Sequence, residues 1–313
     1  MPTHRNALLA AGLSMTAALT QAQTFGDYST ISNVSTSACP GEGGAHIIVA
    51  RASVEPLGYG IIGNVKDAVL NASEASNAEY VVYPATLTDY FNSESAGVLG
   101  MRALAEAFVA QDCPGNAPIV LMGYSQGAQV VSDYLSGQNV ERFPYNESLS
   151  QPASKLVISR VAAIITMGDP SINITDNSAH VGNSTKSGLF ARFENSSMVF
   201  ETTGLDSRFQ AYCDELDPYC ASAGNFDNIS VHLRYVQEYG MQAAEYVEMK
   251  IKEYYAKSTT GGSNSTSGGE NATMTGSGMP AISTGGAGSL AEMRVGGTAA
   301  AVLGLGLAFF CGL

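Results

Sequence analysis

The stretch Gly123-Tyr124-Ser125-Gln126-Gly127 restricts the fold more than any other part of the chain. The apolar run Pro118-Ile119-Val120-Leu121-Met122 enters it and reads as a buried strand. Ala128 to Leu135 leaves it, with Val130, Val131, Tyr134 and Leu135 spaced to face a sheet, which predicts a helix. Strand, G-x-S-x-G turn and helix together make a nucleophile elbow: the serine stands on a strained turn, and the glycines let strand and helix pack closely. The helix N-terminus favours negative charge beside Ser125, and the Gln126 N–H is placed to donate to an oxyanion.

Further apolar runs bounded by turns extend the pattern: His46 to Arg51, Tyr80 to Pro84 and Val161 to Met167. Each is short and nearly continuous, as expected for strands covered on both faces. Helical spacing falls between and after them. Ser95 to Gln111 places Leu99, Ala103 and Ala107 on one side, with Leu104 and Phe108 next to them. Val236, Tyr239, Ala243, Val247, Ile251 and Tyr254 line a final helix. Strands alternating with helices imply α/β architecture, a parallel sheet in a three-layer α/β/α sandwich. Ligands of such sheets bind at the carboxyl ends of the strands, where Ser125 lies.

The two ends of the chain read as addresses. Residues 1–22 carry His4-Arg5 ahead of an apolar run and small residues at the cleavage position, a secretory signal. Residues 23–257 fit one domain. Residues 258–289 are rich in Gly, Ser and Thr and lack the apolar residues a core needs, which suits a flexible stalk. Residues 290–313 end in an apolar tail behind the small residues Gly285 to Ser289, the pattern of a GPI-anchor signal that is removed. The expectation is a secreted protein that meets the membrane only through a lipid anchor. Nine N-x-S/T sequons (Asn33, Asn71, Asn146, Asn173, Asn183, Asn195, Asn228, Asn264 and Asn271) agree with that route. A net charge of −13 argues against nucleic acid or an anionic membrane surface as partner. Oligomeric state leaves no trace in the sequence, and a monomer is the default expectation.

Cys311 falls in the tail, so four of the five cysteines remain. Cys213 and Cys220 share one short loop and form the natural local pair, which leaves Cys39 with Cys113. Each of the latter two precedes a predicted strand, at the same edge of a parallel sheet. Closing a loop of that length contributes roughly 4–5 kcal/mol in the chain-entropy model. No Cys-x-x-Cys occurs and no histidine lies within ligand spacing of a cysteine, so metal binding is not expected.

A nucleophilic serine needs a base, and the base needs an orienting carboxylate. Of the four histidines, His4 leaves with the signal and His46 opens the first strand at the wrong edge of the sheet. His180 sits in an Asn/Ser-rich stretch without an anchor. His232, on a loop before the last helix, remains. Asp169, Asp214, Asp217 and Asp227 all lie between Ser125 and His232. Asp217 is favoured because a Cys213–Cys220 bridge would hold its loop rigid. A second oxyanion donor should come from the loop after the first strand, where Ser53 offers its N–H and its hydroxyl.

Taken together, Ala50-Arg51-x-Ser53, Gly58-Tyr59-Gly60, Tyr83-Pro84-Ala85, Gly123-Tyr124-Ser125-Gln126-Gly127-Ala128, Gly168-Asp169-Pro170 and Cys213-x-x-x-Asp217-x-x-Cys220 with the later His232 resemble the fungal cutinase and acetylxylan esterase family. The resemblance runs from about Cys39 to Tyr254. It implies Ser125 as nucleophile, His232 as base, Asp217 as its partner and an oxyanion hole from Gln126 and Ser53. It also implies disulfides Cys39–Cys113 and Cys213–Cys220, a central five-stranded parallel sheet, and no metal or cofactor. The substrate would be an ester of acetylated polysaccharide or a cutin-like polyester. The same triad would serve a peptidase, and the same fold would serve a tethered wall protein that only binds. Pro144 to Pro152 and Asn173 to Gly204 are polar, sequon-bearing stretches that would fence the site, and a glycan on Asn228 would crowd its mouth.

Overall fold

A computed structural model describes residues 34–176, 179–222 and 229–260. Six strands form one sheet in the order β2-β1-β3-β4-β6-β5, and every neighbouring pair is parallel. In chain order the strands are β1 (His46–Ala50), β2 (Asn77–Tyr80), β3 (Ile119–Tyr124), β4 (Val161–Met167), β5 (His180–Val181) and β6 (Phe209–Tyr212). The helices are α1 (Gly63–Ala72), α2 (Tyr90–Val109), α3 (Gln126–Ser136), α4 (Lys155–Arg160), α5 (Glu194–Thr202), α6 (Ile229–His232) and α7 (Tyr235–Thr260). α1 packs with α7 in one layer, while α2, α3 and α5 form the other. The chain runs from β1 to β2 on one side and then places β3 on the other side of β1. The carboxyl ends of β1 and β3 therefore flank the crevice where strand order reverses, the usual ligand position in such sheets.

Burial explains the strand set. All residues of β1, β3 and β4 are buried, which is why they read as unbroken apolar runs. α3 is buried along its whole length. Val130, Val131 and Leu135 each contribute about 1.5–3 kcal/mol on burial, enough to hold a strained residue at the start of the helix. Both expected disulfides are formed, Cys39–Cys113 with Cα atoms 5.4 Å apart and Cys213–Cys220 with Cα atoms 5.9 Å apart.

Three expectations need correction. The sheet has six strands, not five, because the two residues of β5 pair with Ala211 and Tyr212 at the edge. So short a strand leaves no apolar run in sequence, and it anchors the polar stretch around His180 to the sheet edge. The strand expected at Tyr80–Pro84 is Asn77–Tyr80. Val81 still donates to the Val49 carbonyl at 2.9 Å, but β1 ends one residue later and Val82 is 68% exposed. Finally, α2 begins at Tyr90, not Ser95, and buries Val98, Met101, Ala105 and Phe108. Its buried face is rotated by about one position from the Leu99–Ala103–Ala107 line; Leu99 is exposed. The α7 face is as expected, with Val236, Ala243, Val247 and Ile251 buried.

Candidate active site

Ser125 ends β3 and caps α3 at φ 55°, ψ −119°, in the left-handed half of backbone space that a non-glycine residue occupies at a cost. Its N–H donates to the Met167 carbonyl of β4 at 2.8 Å, and its own carbonyl accepts from Ala128 and Gln129. The two glycines of the elbow are required by close approach. A Cβ on Gly123 would lie 2.2 Å from the Gly127 oxygen, and a Cβ on Gly127 would lie 2.1 Å from the Ala50 oxygen. The elbow is thus pressed against the carboxyl end of β1.

His232, at the end of α6, turns its two ring nitrogens to different partners. Nε2 lies 2.9 Å from Ser125 Oγ, and Nδ1 lies 2.8 Å from Asp217 Oδ2. Asp217 is fully buried. Its Oδ1 accepts from the N–H groups of Tyr219 (2.7 Å) and Cys220 (3.1 Å), and its Oδ2 also accepts from the Tyr235 hydroxyl (2.9 Å). Burial pushes this carboxyl up, but the His232 hydrogen bond and charge, with the two backbone donors, outweigh it and hold the group below the ordinary aspartate range. The Cys213–Cys220 bridge closes the loop that supplies those donors.

Gly168, Tyr124 and Tyr219 position the imidazole from outside the three, and Tyr235 holds its carboxylate partner. Gly168 sits under it at φ 64°, and a Cβ there would come 2.7 Å from His232 Cε1 and 2.9 Å from Nδ1. The Tyr124 hydroxyl donates to the His232 carbonyl. Tyr219 covers part of the ring, with centroids 4.5 Å apart. Tyr235 does more than support the carboxylate, since its hydroxyl also accepts the Asp214 N–H at 2.8 Å and so ties the acid loop to α7. Sequence reading missed Gly168 and Tyr235 as site residues. Gly168-Asp169-Pro170 reads as a turn, and Tyr235 lies just outside the apolar stripe that starts at Val236.

The loop after β1 is staked at several points. Glu55 accepts from the N–H groups of Ala52 (2.7 Å) and Ile61 (2.8 Å), Arg51 donates to the Tyr83 carbonyl (2.8 Å), and Val54 donates to the Ala85 carbonyl (2.7 Å). Within this loop the Ser53 hydroxyl is buried and has no hydrogen-bond partner among the described residues. The Gln126 side chain is held by Ser93, which donates to its Oε1 at 3.0 Å, and it donates to the Thr86 carbonyl at 3.2 Å. As the first residue of α3, Gln126 has an N–H with no partner inside the helix.

The rival candidates stand elsewhere. His46 is buried at the amino end of the sheet against Asn77 and Glu79, and His180 faces the Cys213 carbonyl at 2.9 Å. Asp169 accepts from Ser132 and from the N–H and hydroxyl of Ser171, and Asp214 accepts from Tyr239. Asp227 and Asn228 lie outside the described residues. A cavity of about 630 Å³ beside α5 includes none of Ser125, Asp217 and His232. Ser125 is half-buried and is the member of the three that meets solvent, while His232 and Asp217 are buried behind it.

A family model described as Cutinase matches residues 38–251. The chain is similar to Cutinase 11 of Verticillium dahliae, 33% identical over 222 residues that cover 69% of this chain and 71% of that protein. It is also similar to Acetylxylan esterase 2 of Talaromyces purpureogenus, 32% identical over 213 residues, 66% of this chain and 86% of that one. Among solved structures, the catalytic core domain of acetyl xylan esterase from Trichoderma reesei matches with a TM-score of 0.57 at 30% identity, covering 68% of this chain and 100% of that chain. The matched span takes in the elbow, the acid loop and His232 alike, and the chain belongs to the cutinase family of ester hydrolases.

Proposed function

We propose that the chain is a secreted serine esterase in which Ser125 is the nucleophile, His232 the general base and Asp217 its orienting carboxylate. One observation carries this reading: His232 bridges Ser125 and Asp217, with 2.9 Å and 2.8 Å on its two nitrogens. His232 takes the Ser125 proton as Oγ attacks the ester carbonyl carbon. The carbonyl oxygen becomes an oxyanion that the Gln126 N–H and the Ser53 donors stabilise. One such donor is typically worth about 3–4 kcal/mol. On collapse the ester C–O bond breaks, and the leaving alcohol takes the proton from His232. A water molecule, deprotonated by His232, then releases the acid and restores Ser125.

The substrate class we infer is acetyl or other short-chain esters of plant polysaccharide, or ester bonds of cutin. Relatives named cutinase and acetylxylan esterase support the breadth of this class. Tyr219 against His232 and the half-exposed Ser125 favour a small acyl group on a large, external alcohol. Residues 1–22 would export the protein, and the tail would supply a lipid anchor through residues 283–289. The test is hydrolysis of p-nitrophenyl esters from acetate to palmitate, with Ser125→Ala beside the unaltered chain. The expected result is a maximum at acetate or butyrate and a loss of at least about 10⁴-fold in the variant. Equal rates in both would assign the fold to binding alone.

A further inference from the structure

Phe91, Phe143 and Tyr145 line an open cleft in which none of Ser125, Asp217 and His232 takes part. Phe91 and Phe143 meet edge to face with centroids 4.5 Å apart, yet Phe91 is 40% and Tyr145 72% exposed. They share a cleft of about 280 Å³ with Asn92, Asn146 and Glu147. Clustered aromatic surface of this kind marks a place where something docks.

The cleft contains its own attachment point. Asn146-Glu147-Ser148 is a sequon, and Asn146 is exposed. Its Oδ1 accepts from the Ser148 N–H (3.1 Å) and hydroxyl (2.8 Å), while its Nδ2 donates to nothing among the described residues. The nitrogen that would carry a sugar is therefore free, beside three aromatic rings. Asn173 is the counter-example. It is half-buried, and its Nδ2 donates to the Arg192 carbonyl at 3.0 Å. A glycan there would cost the fold that bond.

We propose that Asn146 carries an N-linked glycan whose first N-acetylhexosamine packs into the cleft over Phe143 and Tyr145, and that Asn173 stays unmodified. The C–H face of the sugar covers the rings, and Asn92 and Glu147 offer hydrogen bonds to its amide and hydroxyls. The proposal rests on the secretory reading above. Asn71, exposed on the last turn of α1, is the control that separates the two.

The full chain is secreted from a yeast host and its sequons are mapped by enzymatic deglycosylation in heavy-oxygen water. Melting is then compared after complete removal of glycans and after trimming to a single sugar. The expected result is a label at Asn146 and none at Asn173. Complete removal should lower Tm by roughly 2–4 °C, the shift usual for a modest contact in a domain of this size. Trimming should not lower it, and in Asn146→Gln and in Phe143→Ala removal should cost correspondingly less. Occupancy at Asn71 with none at Asn146 overturns the proposal, as does occupancy at Asn173 or an Asn146 glycan whose removal leaves Tm unchanged. No label at any sequon overturns the secretory reading itself. Binding of soluble xylan to the bare patch, lost in Phe143→Ala with Asn146 unoccupied, reassigns the patch to substrate.

Discussion

Two histidines stand at opposite edges of the same sheet, each paired with a carboxylate. At the amino edge, His46 Nε2 lies 2.8 Å from Glu79 and Nδ1 2.6 Å from Asn77, and the ring stacks on Phe108 with centroids 4.1 Å apart. At the carboxyl edge, His232 Nδ1 lies 2.8 Å from Asp217 and Nε2 2.9 Å from Ser125. Judged by the ion pair alone, the two are equivalent. The difference lies in what faces the second nitrogen. His46 meets an amide that itself donates to the Ala38 carbonyl, which ties down the segment before the Cys39 bridge. His232 meets a hydroxyl raised on a strained turn at the N-terminus of α3. A histidine–carboxylate pair becomes a candidate catalytic pair only where topology delivers a nucleophile and a place for developing charge.

The contrast can be broken from either side. Asp217→Asn should lower kcat by about 10⁴-fold, because the ring loses the acceptor that fixes its tautomer. Its effect on KM should be small. The mirror experiment is His46→Ala, which leaves Glu79 buried without its partner and opens a cavity against Phe108. It should cost about 2–4 kcal/mol in denaturant unfolding while leaving kcat within a few-fold. A His46 variant that loses activity at full stability would abolish the distinction.

Gly168→Ala probes the support under His232. The new Cβ would meet the ring at 2.7 Å and sit at an unfavourable φ, so kcat should fall about 10–100-fold, as expected when a base is displaced by a fraction of an ångström. Tyr235→Phe removes one donor from Asp217 and should lower kcat by about 10-fold, the value of one modest hydrogen bond. A carboxylate with one donor fewer holds the protonated base more tightly, so the acid limb of the kcat/KM profile should move up. A purely structural tyrosine would change Tm and leave that limb in place.

A smaller effect concerns pH and a second buried cluster. Glu94 and Asp133 are both fully buried beside α3. Burial pushes the Asp133 carboxyl up against the opposing pull of Arg192 at 2.7 Å and Gln129 at 3.2 Å. Glu94 accepts from Gln138 and faces Asp133 without a cation of its own in direct contact among the described residues. Burial, reinforced by the Asp133 charge, pushes the Glu94 carboxyl well above the usual range. The unfolded chain releases this proton from about pH 4.3 upward while the folded chain keeps it. Stability should therefore fall as pH rises above that value, and Glu94→Gln should flatten the dependence. Asp217 acts with the opposite sign and in another window. Its depressed value adds stability above the unfolded pKa of about 3.9, which is lost as pH falls below it.

The sequence was most legible where one short segment carried a whole physical requirement. The elbow needs a strand, two glycines, a serine and a helix within about twenty residues, so Ser125 and Gln126 could be read directly. The cysteine pairs followed from loop length and from the shared strand edge. Legibility failed where a partner decided the outcome. β2 ends where β1 ends, a fact about pairing that Val81 and Val82 do not encode. Leu99 looks like a core residue until the neighbouring α3 fixes which face of α2 is covered. Gly168 and Tyr235 gain their meaning only from His232 and Asp217, which the fold brings to them across 64 and 18 residues of sequence.

The central claim is that His232, unlike His46, activates Ser125. The most direct test is labelling with a fluorophosphonate ester, read by peptide mass spectrometry, in the unaltered chain and in His232→Ala and His46→Ala. The account predicts a single adduct on the peptide containing Ser125, formed rapidly in the unaltered chain and in His46→Ala, and suppressed by at least about 10³-fold in His232→Ala. An adduct on another residue, or equal labelling of Ser125 with and without His232, would contradict it.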